Sequence, residues 1–554
     1  MRFLTWLLCS IAMTITTVTG CCQAVRPDLA LEQPDDDAKV SKVWSPDLGN
    51  GMYKNPVLNA DYSDPDVIRV RDRFYLVASS FDSVPGLPIL ESYDLVNWRL
   101  IGHALSTQLP VDRYSLTQHG NGAWAPALRF HDGEFYLFYP DPDFGIYMVK
   151  ARSVAGPWSE PLLVKAAKGW IDPCPLWDED GKAYLVSALA GSRAGAKSIL
   201  VVSRMKPDGT ELLDDGTMVY DGHQEDPTIE GPKMYKRHGY YYIFAPAGGV
   251  PTGWQVVLRS RNIFGPYERR KVLQQGTTAV NGPHQGAWVD TGTGEDWFVH
   301  FQDRGWLGRV VHLEPMKWVD NWPEIGDTSQ ELVGQPVLSY RKPRTLHASA
   351  RQNPAESDEF NGTALGLQWQ WQADPKPTWS FPSHALGVLR LINTVAPPQT
   401  HNLWDTPAVL LQKLSGPRLM VTTKFKAILL NQGDRAGLVL MGKDYGALAL
   451  VKTEHGVVLR QVLCLSADLG TIEKILAEVP ISEDELYLRV AVSEGTVSFS
   501  YSVDGNAFRP IGEKFKAQPG GWVGAKVGIF ASGVIDHGEF GHADFDWFRV
   551  VALP

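Results

Sequence analysis

The chain is poor in cysteine: five in 554 residues, three of them (Cys9, Cys21, Cys22) within the first 22. Only Cys174 and Cys464 belong to the body, in different halves, which excludes a disulfide framework and predicts buried free thiols. No CxxC or HExxH spacing occurs, so the common zinc motifs are absent. A net charge of −10 and the lack of any Lys/Arg run exclude a general nucleic-acid binder. No long stretch has apolar residues at a 3.6-residue period, which argues against helical architectures. The one long apolar run, Phe3 to Val18, is short for a membrane span.

That run follows Arg2 and reads as a secretory signal over residues 1–22. It ends Val18-Thr-Gly-Cys21, similar to a bacterial lipobox, in which the cysteine becomes the lipidated first residue; the alternative is ordinary cleavage nearby, after Ala24. The expected location is therefore outside the cytoplasm, in the periplasm or held at the outer membrane by a lipid anchor at Cys21. Residues 23–45, polar with three consecutive aspartates at Asp35–Asp37, read as a linker.

What the chain has in quantity is aromatics (11%), with 52 Gly and 38 Pro, a composition that suits strands joined by tight turns. Five segments, starting at Asp64, Trp124, Asp172, Glu230 and His284, each lead through a turn to an aromatic strand. The second aromatics are Tyr75, Tyr136, Tyr184, Tyr242 and Phe298, a period of about 56 residues, near that of propeller blades. The strings Ala151–Trp158 and Ser260–Tyr267 match one another and read as outer strands. A five-bladed β-propeller over residues 46–345 is the expected fold. Beyond it, residues 346–554 alternate apolar and polar over about ten short segments, which predicts a β-sandwich of the jelly-roll kind.

Repeats place equivalent residues at equivalent places, so Asp64, Asp172 and Glu230 are expected to ring one mouth of the channel. Glycoside hydrolysis needs one carboxyl to protonate the leaving oxygen and another to activate water or attack carbon. A third carboxylate nearby raises the acid's pKa by repulsion. Carboxylates a blade apart across a pocket favour the wide separation of inverting enzymes. A single aspartate before proline usually caps a turn; three acids in register argue against that reading. Trp124, in the same register, suits a sugar-stacking wall. His284 alone reads equally as a buried core histidine or a ligand.

At these residues the chain resembles glycoside hydrolase family 43. The matching strings are Asn55-Pro-Val-Leu with Asp64-Pro-Asp, Ser92–Trp98, Gly122-Ala-Trp124-Ala-Pro, Ile171-Asp172-Pro, Ile229-Glu230-Gly-Pro, Gly282-Pro-His284-Gln-Gly and Gly308-Arg309. The resemblance implies a five-bladed propeller and inversion of configuration, with Asp64 as general base, Asp172 as the pKa-tuning aspartate and Glu230 as general acid. It places His284 at the channel centre, where some members hold a calcium ion or a water, and Arg309 against substrate and carboxylates. No cofactor is required; a structural Ca2+ is the one candidate. Phe81 matches a pocket-lining aromatic of the xylosidase and arabinofuranosidase branch. That branch usually has a second bulky aromatic before Pro-Gly, where this chain has Ser83 and Val84, so a more open wall is expected. The implied substrates are arabinoxylan or xylan fragments of the plant cell wall, cut by exo action to release a β-xylosyl or α-L-arabinofuranosyl unit. Two competing readings are a non-catalytic carbohydrate-binding propeller and a retaining fructosidase, whose Asn-Asp-Pro-Asn and Arg-Asp-Pro strings are missing here.

Overall fold

The computed structural model describes residues 40–553; the expected signal, Cys21 and most of the expected linker lie outside them. Its last part, 40–45, is not a free tether: Ser41 Oγ donates to Glu356 Oε2 at 2.8 Å, and Trp44 Nε1 donates to the Pro56 carbonyl at 2.9 Å. A serine and a tryptophan with partners on both sides dock this stretch on the body.

Five antiparallel four-stranded sheets follow one another in strict chain order. Blade 1 runs from Asp66 to Leu105, blade 2 from Ala127 to Ala166, blade 3 from Trp170 to Asp221, blade 4 from Lys233 to Leu273, and blade 5 from His284 to Ile325. The aromatic segments are the second strand of every blade, as in Arg73–Val77 and Tyr240–Ala247. Their alternation buries one face against each neighbouring blade, giving five apolar seams. The seam that closes the ring packs Val67, Leu76 and Leu90 against Ala287, Trp297 and Val311. The expected outer strands Ala151–Trp158 and Ser260–Tyr267 are instead the turns between third and fourth strands; the fourth strands are Leu162–Ala166 and Glu268–Leu273. Gly-Pro near the end of each string cannot continue a sheet ladder.

The second half forms two large sheets packed face to face, a β-sandwich. Its core takes in Leu307 and Val310 of blade 5, so the propeller contributes side chains to the sandwich interior. Cys174 and Cys464 are both buried free thiols.

Candidate active site

Every blade enters its inner strand through the same defect. In blade 3, Ile171 pairs with Ala188 and Cys174 with Val186, so two residues, Asp172 and Pro173, oppose the single Ser187. Blade 5 repeats this with His284 against Phe301 and Ala287 against Val299. Blades 1, 2 and 4 repeat it through the Ser79 N–H bond to Ser63, the Trp124 N–H bond to Pro140 and the Glu230 N–H bond to Pro246. Such bulges re-aim side chains at strand ends.

The bulge corrects the expected register. Trp124, Glu230 and His284 are equivalent, each three residues before the first regular pair. Asp64 and Asp172 lie one residue further on, in the left-handed position at φ 56° and 55°, where blade 4 has Gly231 and blade 5 has Gln285. Aspartate tolerates this conformation at about 1 kcal/mol, whereas most side chains do not. The one-residue offset puts the short acids on the bulge and the longer Glu and His before it, and all of them still meet.

Asp64 is buried in a cage of donors. Its Oδ2 accepts from Ser79 Oγ at 2.5 Å and Ser63 Oγ at 2.9 Å, and Oδ1 accepts from Arg309 Nη1 at 3.1 Å. Arg309 Nη1 also donates to Ser63 Oγ at 2.6 Å. Held on both oxygens, the carboxylate has a fixed orientation.

Asp172 is also buried, and its Oδ2 accepts the Gly231 N–H at 2.7 Å. Burial first, then the charge of Glu230 and less strongly that of Asp64, push its carboxyl up to about 7, against the Gly231 bond and Lys233. The three acids therefore sit within electrostatic reach of one another.

Glu230 is the open member of the three, with 32% of its side chain exposed against 7% for Asp64. Its Oε1 lies 2.9 Å from Nε2 of His284, which is fully buried. His284 Nδ1 is enclosed without a partner, beside Gly253 and the Phe301 ring. A proton on Nε2, donated to Glu230, leaves only a bare lone pair at Nδ1, the cheaper arrangement for a buried atom. A calcium ion takes six to eight oxygen ligands. Beside His284 the protein offers the Glu230 carboxylate and, at Gly253, the Ala247 and Gly249 carbonyls, with the remaining ligands of such an ion left to water; the imidazole itself orients Glu230. The three-ligand grouping found among the described residues lies elsewhere in blade 5, at His300, His312 and Glu314.

The walls are aromatic. Phe81, left-handed at φ 53°, packs edge-on against Trp124 at 6.2 Å. Trp124 donates its indole N–H to Gly120. Trp522, from a sandwich loop, stands 6.3 Å from Trp124 and 5.8 Å from the Arg309 guanidinium, and 56% of it is exposed. The residues expected to leave the wall open do not face it: Ser83 accepts from Lys526 Nζ at 2.6 Å, and Val84 bonds through its backbone to Trp371, both on the sandwich. Trp522, from the sandwich, adds a further aromatic beside Trp124. Ser63, Ser79 and Trp522 are the site residues that sequence reasoning missed; a Gly520-Gly521-Trp522 string marks only a loop.

Residues 53–323 match the family model for glycosyl hydrolases family 43, and residues 357–551 that for the β-xylosidase C-terminal concanavalin A-like domain. A β-xylosidase of Formosa agariphila is 32% identical over 555 residues, covering 91% of this chain and 90% of its own. The non-reducing end α-L-arabinofuranosidase BoGH43B of Bacteroides ovatus is 28% identical over 534 residues, covering 90% and 95%. The crystal structure of xylan β-1,4-xylosidase from Bacillus halodurans superposes with a TM-score of 0.80 at 25% identity, covering 90% and 99%. With a donor-caged aspartate, a coupled second aspartate and a half-open glutamate inside an aromatic wall on that same two-domain frame, the chain belongs to glycosyl hydrolases family 43 and is an O-glycosyl hydrolase.

Proposed function

We propose that the enzyme is an exo-acting, inverting pentosidase that removes terminal β-xylosyl or α-L-arabinofuranosyl units from hemicellulose-derived oligosaccharides. The observation that carries this reading is the wall built from both domains: Phe81 and Trp124 on the propeller and Trp522 on the sandwich crowd one mouth above the acids. A mouth closed on that side suits a chain end better than a chain middle. The wall is apolar and flat-faced, which suits the faces of a sugar ring.

In the reaction, Glu230 gives its proton to the glycosidic oxygen as the bond from that oxygen to the anomeric carbon breaks. A water on the opposite face of the sugar, losing its proton to Asp64, forms the new bond to the same carbon. Arg309 and the two serines hold Asp64 on line, and His284 holds Glu230. Asp172, buried within electrostatic reach of Glu230, is the neighbour that tunes the acid. The names of the relatives, a β-xylosidase and an α-L-arabinofuranosidase, support both pentoses as substrates.

The test pairs an aryl β-xyloside with an aryl α-L-arabinofuranoside, followed by arabinoxylan oligosaccharides, with the first-formed sugar read by proton NMR. Release of single pentoses with inverted configuration is expected. A retained anomer, or binding of oligosaccharide with no pentose released, overturns the reading. Trp522→Ala should raise KM about tenfold while kcat stays within about threefold, because it removes ground-state contact area and no reacting group.

A further inference from the structure

Two segments 463 residues apart in sequence meet directly behind Arg309. Asp61 is buried, and its two oxygens serve two domains. Oδ1 accepts the backbone N–H of Arg309 at 2.8 Å, and Oδ2 accepts the backbone N–H of Gly524 at 3.1 Å. Gly524 lies two residues after Trp522. The approach leaves no room for side chains: a Cβ on Gly308 would come within 2.5 Å of Asp61 Oδ1, and one on Gly524 within 2.4 Å of the Leu307 carbonyl. Parallel bonds tie the same segments, from Tyr62 N–H to the Arg309 carbonyl at 3.0 Å and from Ala525 N–H to the Trp306 carbonyl at 2.7 Å. Two sandwich lysines, Lys413 and Lys526, are pushed down by burial, Lys413 to about 8, and Asp61 draws both back up.

We infer that Asp61 is a positioning residue that sets the active site from the domain boundary, one carboxylate fixing both the arginine that grips Asp64 and the sandwich loop that brings Trp522 to the mouth. The inference rests on the site reading given above. An amide cannot substitute, because asparagine has one acceptor oxygen and would turn an NH2 group toward the second N–H donor. One of the two anchors must then be lost, and with it the geometry of Arg309, of Trp522, or of both.

The test is Asp61→Asn with two readouts. By hydrogen-exchange mass spectrometry, peptides covering 304–310 and 520–526 should both exchange at least about tenfold faster, with blade 3 unchanged. In kinetics, kcat/KM on an aryl pentoside should fall about 30-fold in the native background but less than about threefold in an Arg309→Ala/Trp522→Ala background, since Asp61 acts through those two residues. Lys413→Met, which leaves both bonds to Asp61 in place, should leave exchange of both segments and kcat/KM unchanged; a loss like that of Asp61→Asn would place the effect in the charge of Asp61 rather than in its two bonds and overturn the inference. Unchanged exchange in either segment, or an equal loss in both backgrounds, overturns the inference. Should the variant not fold, the unaltered chain still decides: in sub-denaturing urea the two segments must open together, and separate opening overturns the inference. If the unaltered enzyme acts on no pentoside, the pentosidase reading falls, while the exchange results still judge Asp61.

Discussion

Asp64→Asn is expected to stop turnover of every substrate, by on the order of 10^3–10^4 in kcat, whatever the leaving group. The base acts on water, not on the departing oxygen, so a better leaving group cannot relieve its loss. The substitution keeps the shape of the side chain. Ser63 and Ser79, which donate to the carboxylate at 2.9 and 2.5 Å, are hydroxyls and can turn to accept from an amide instead. Arg309 keeps an oxygen to bond but loses its anionic partner, so some stability is lost with the ion pair. Thermal unfolding alongside initial rates checks both halves. A cooperatively folded variant with a normal rate on any glycoside removes Asp64 as base.

How much of this site could be read from the sequence follows from what kind of contact built each part. The blades were readable because alternation along an aromatic strand is local, and Phe74 or Tyr242 declares its strand within five residues. The convergence of Asp64, Asp172 and Glu230 was readable because repetition carries position with it. The register between them was not, because a bulge inserts a residue without changing composition. Only the pairing of Ile171 with Ala188 and Cys174 with Val186 reveals that Asp172 sits one step beyond the place Glu230 holds in its own blade. Trp522 was hidden for a different reason. Its partners Trp124 and Arg309 lie in another domain, and no local pattern records a contact made by docking. The same holds for Ser83, which looked like a gap in the wall and proves to be an anchor for Lys526. His284 stood between two readings, a core histidine or a ligand. It is fully buried, as the first requires, and the atom it holds is a carboxylate oxygen of Glu230.

Glu230→Ala separates the acid from the base by its dependence on the leaving group. With xylo- or arabino-oligosaccharides, whose departing alcohol needs a proton, kcat should fall by about 10^3–10^4. With aryl glycosides bearing a good leaving group, the fall should be no more than about 10^2, because the bond can break unassisted and Asp64 still activates water. Glu230 shares its charge environment with Asp172, whose carboxyl burial and the neighbouring charge of Glu230 push up to about 7. The acid must carry a proton to act, so activity on oligosaccharides declines as pH rises. In Glu230→Ala acting on an activated aryl glycoside, no proton is donated, and that alkaline decline should disappear while the acidic limb stays. Equal losses on both substrate classes, or an alkaline limb that survives the substitution, would show that Glu230 does not deliver the proton, and the half-open carboxylate at the mouth would need another role.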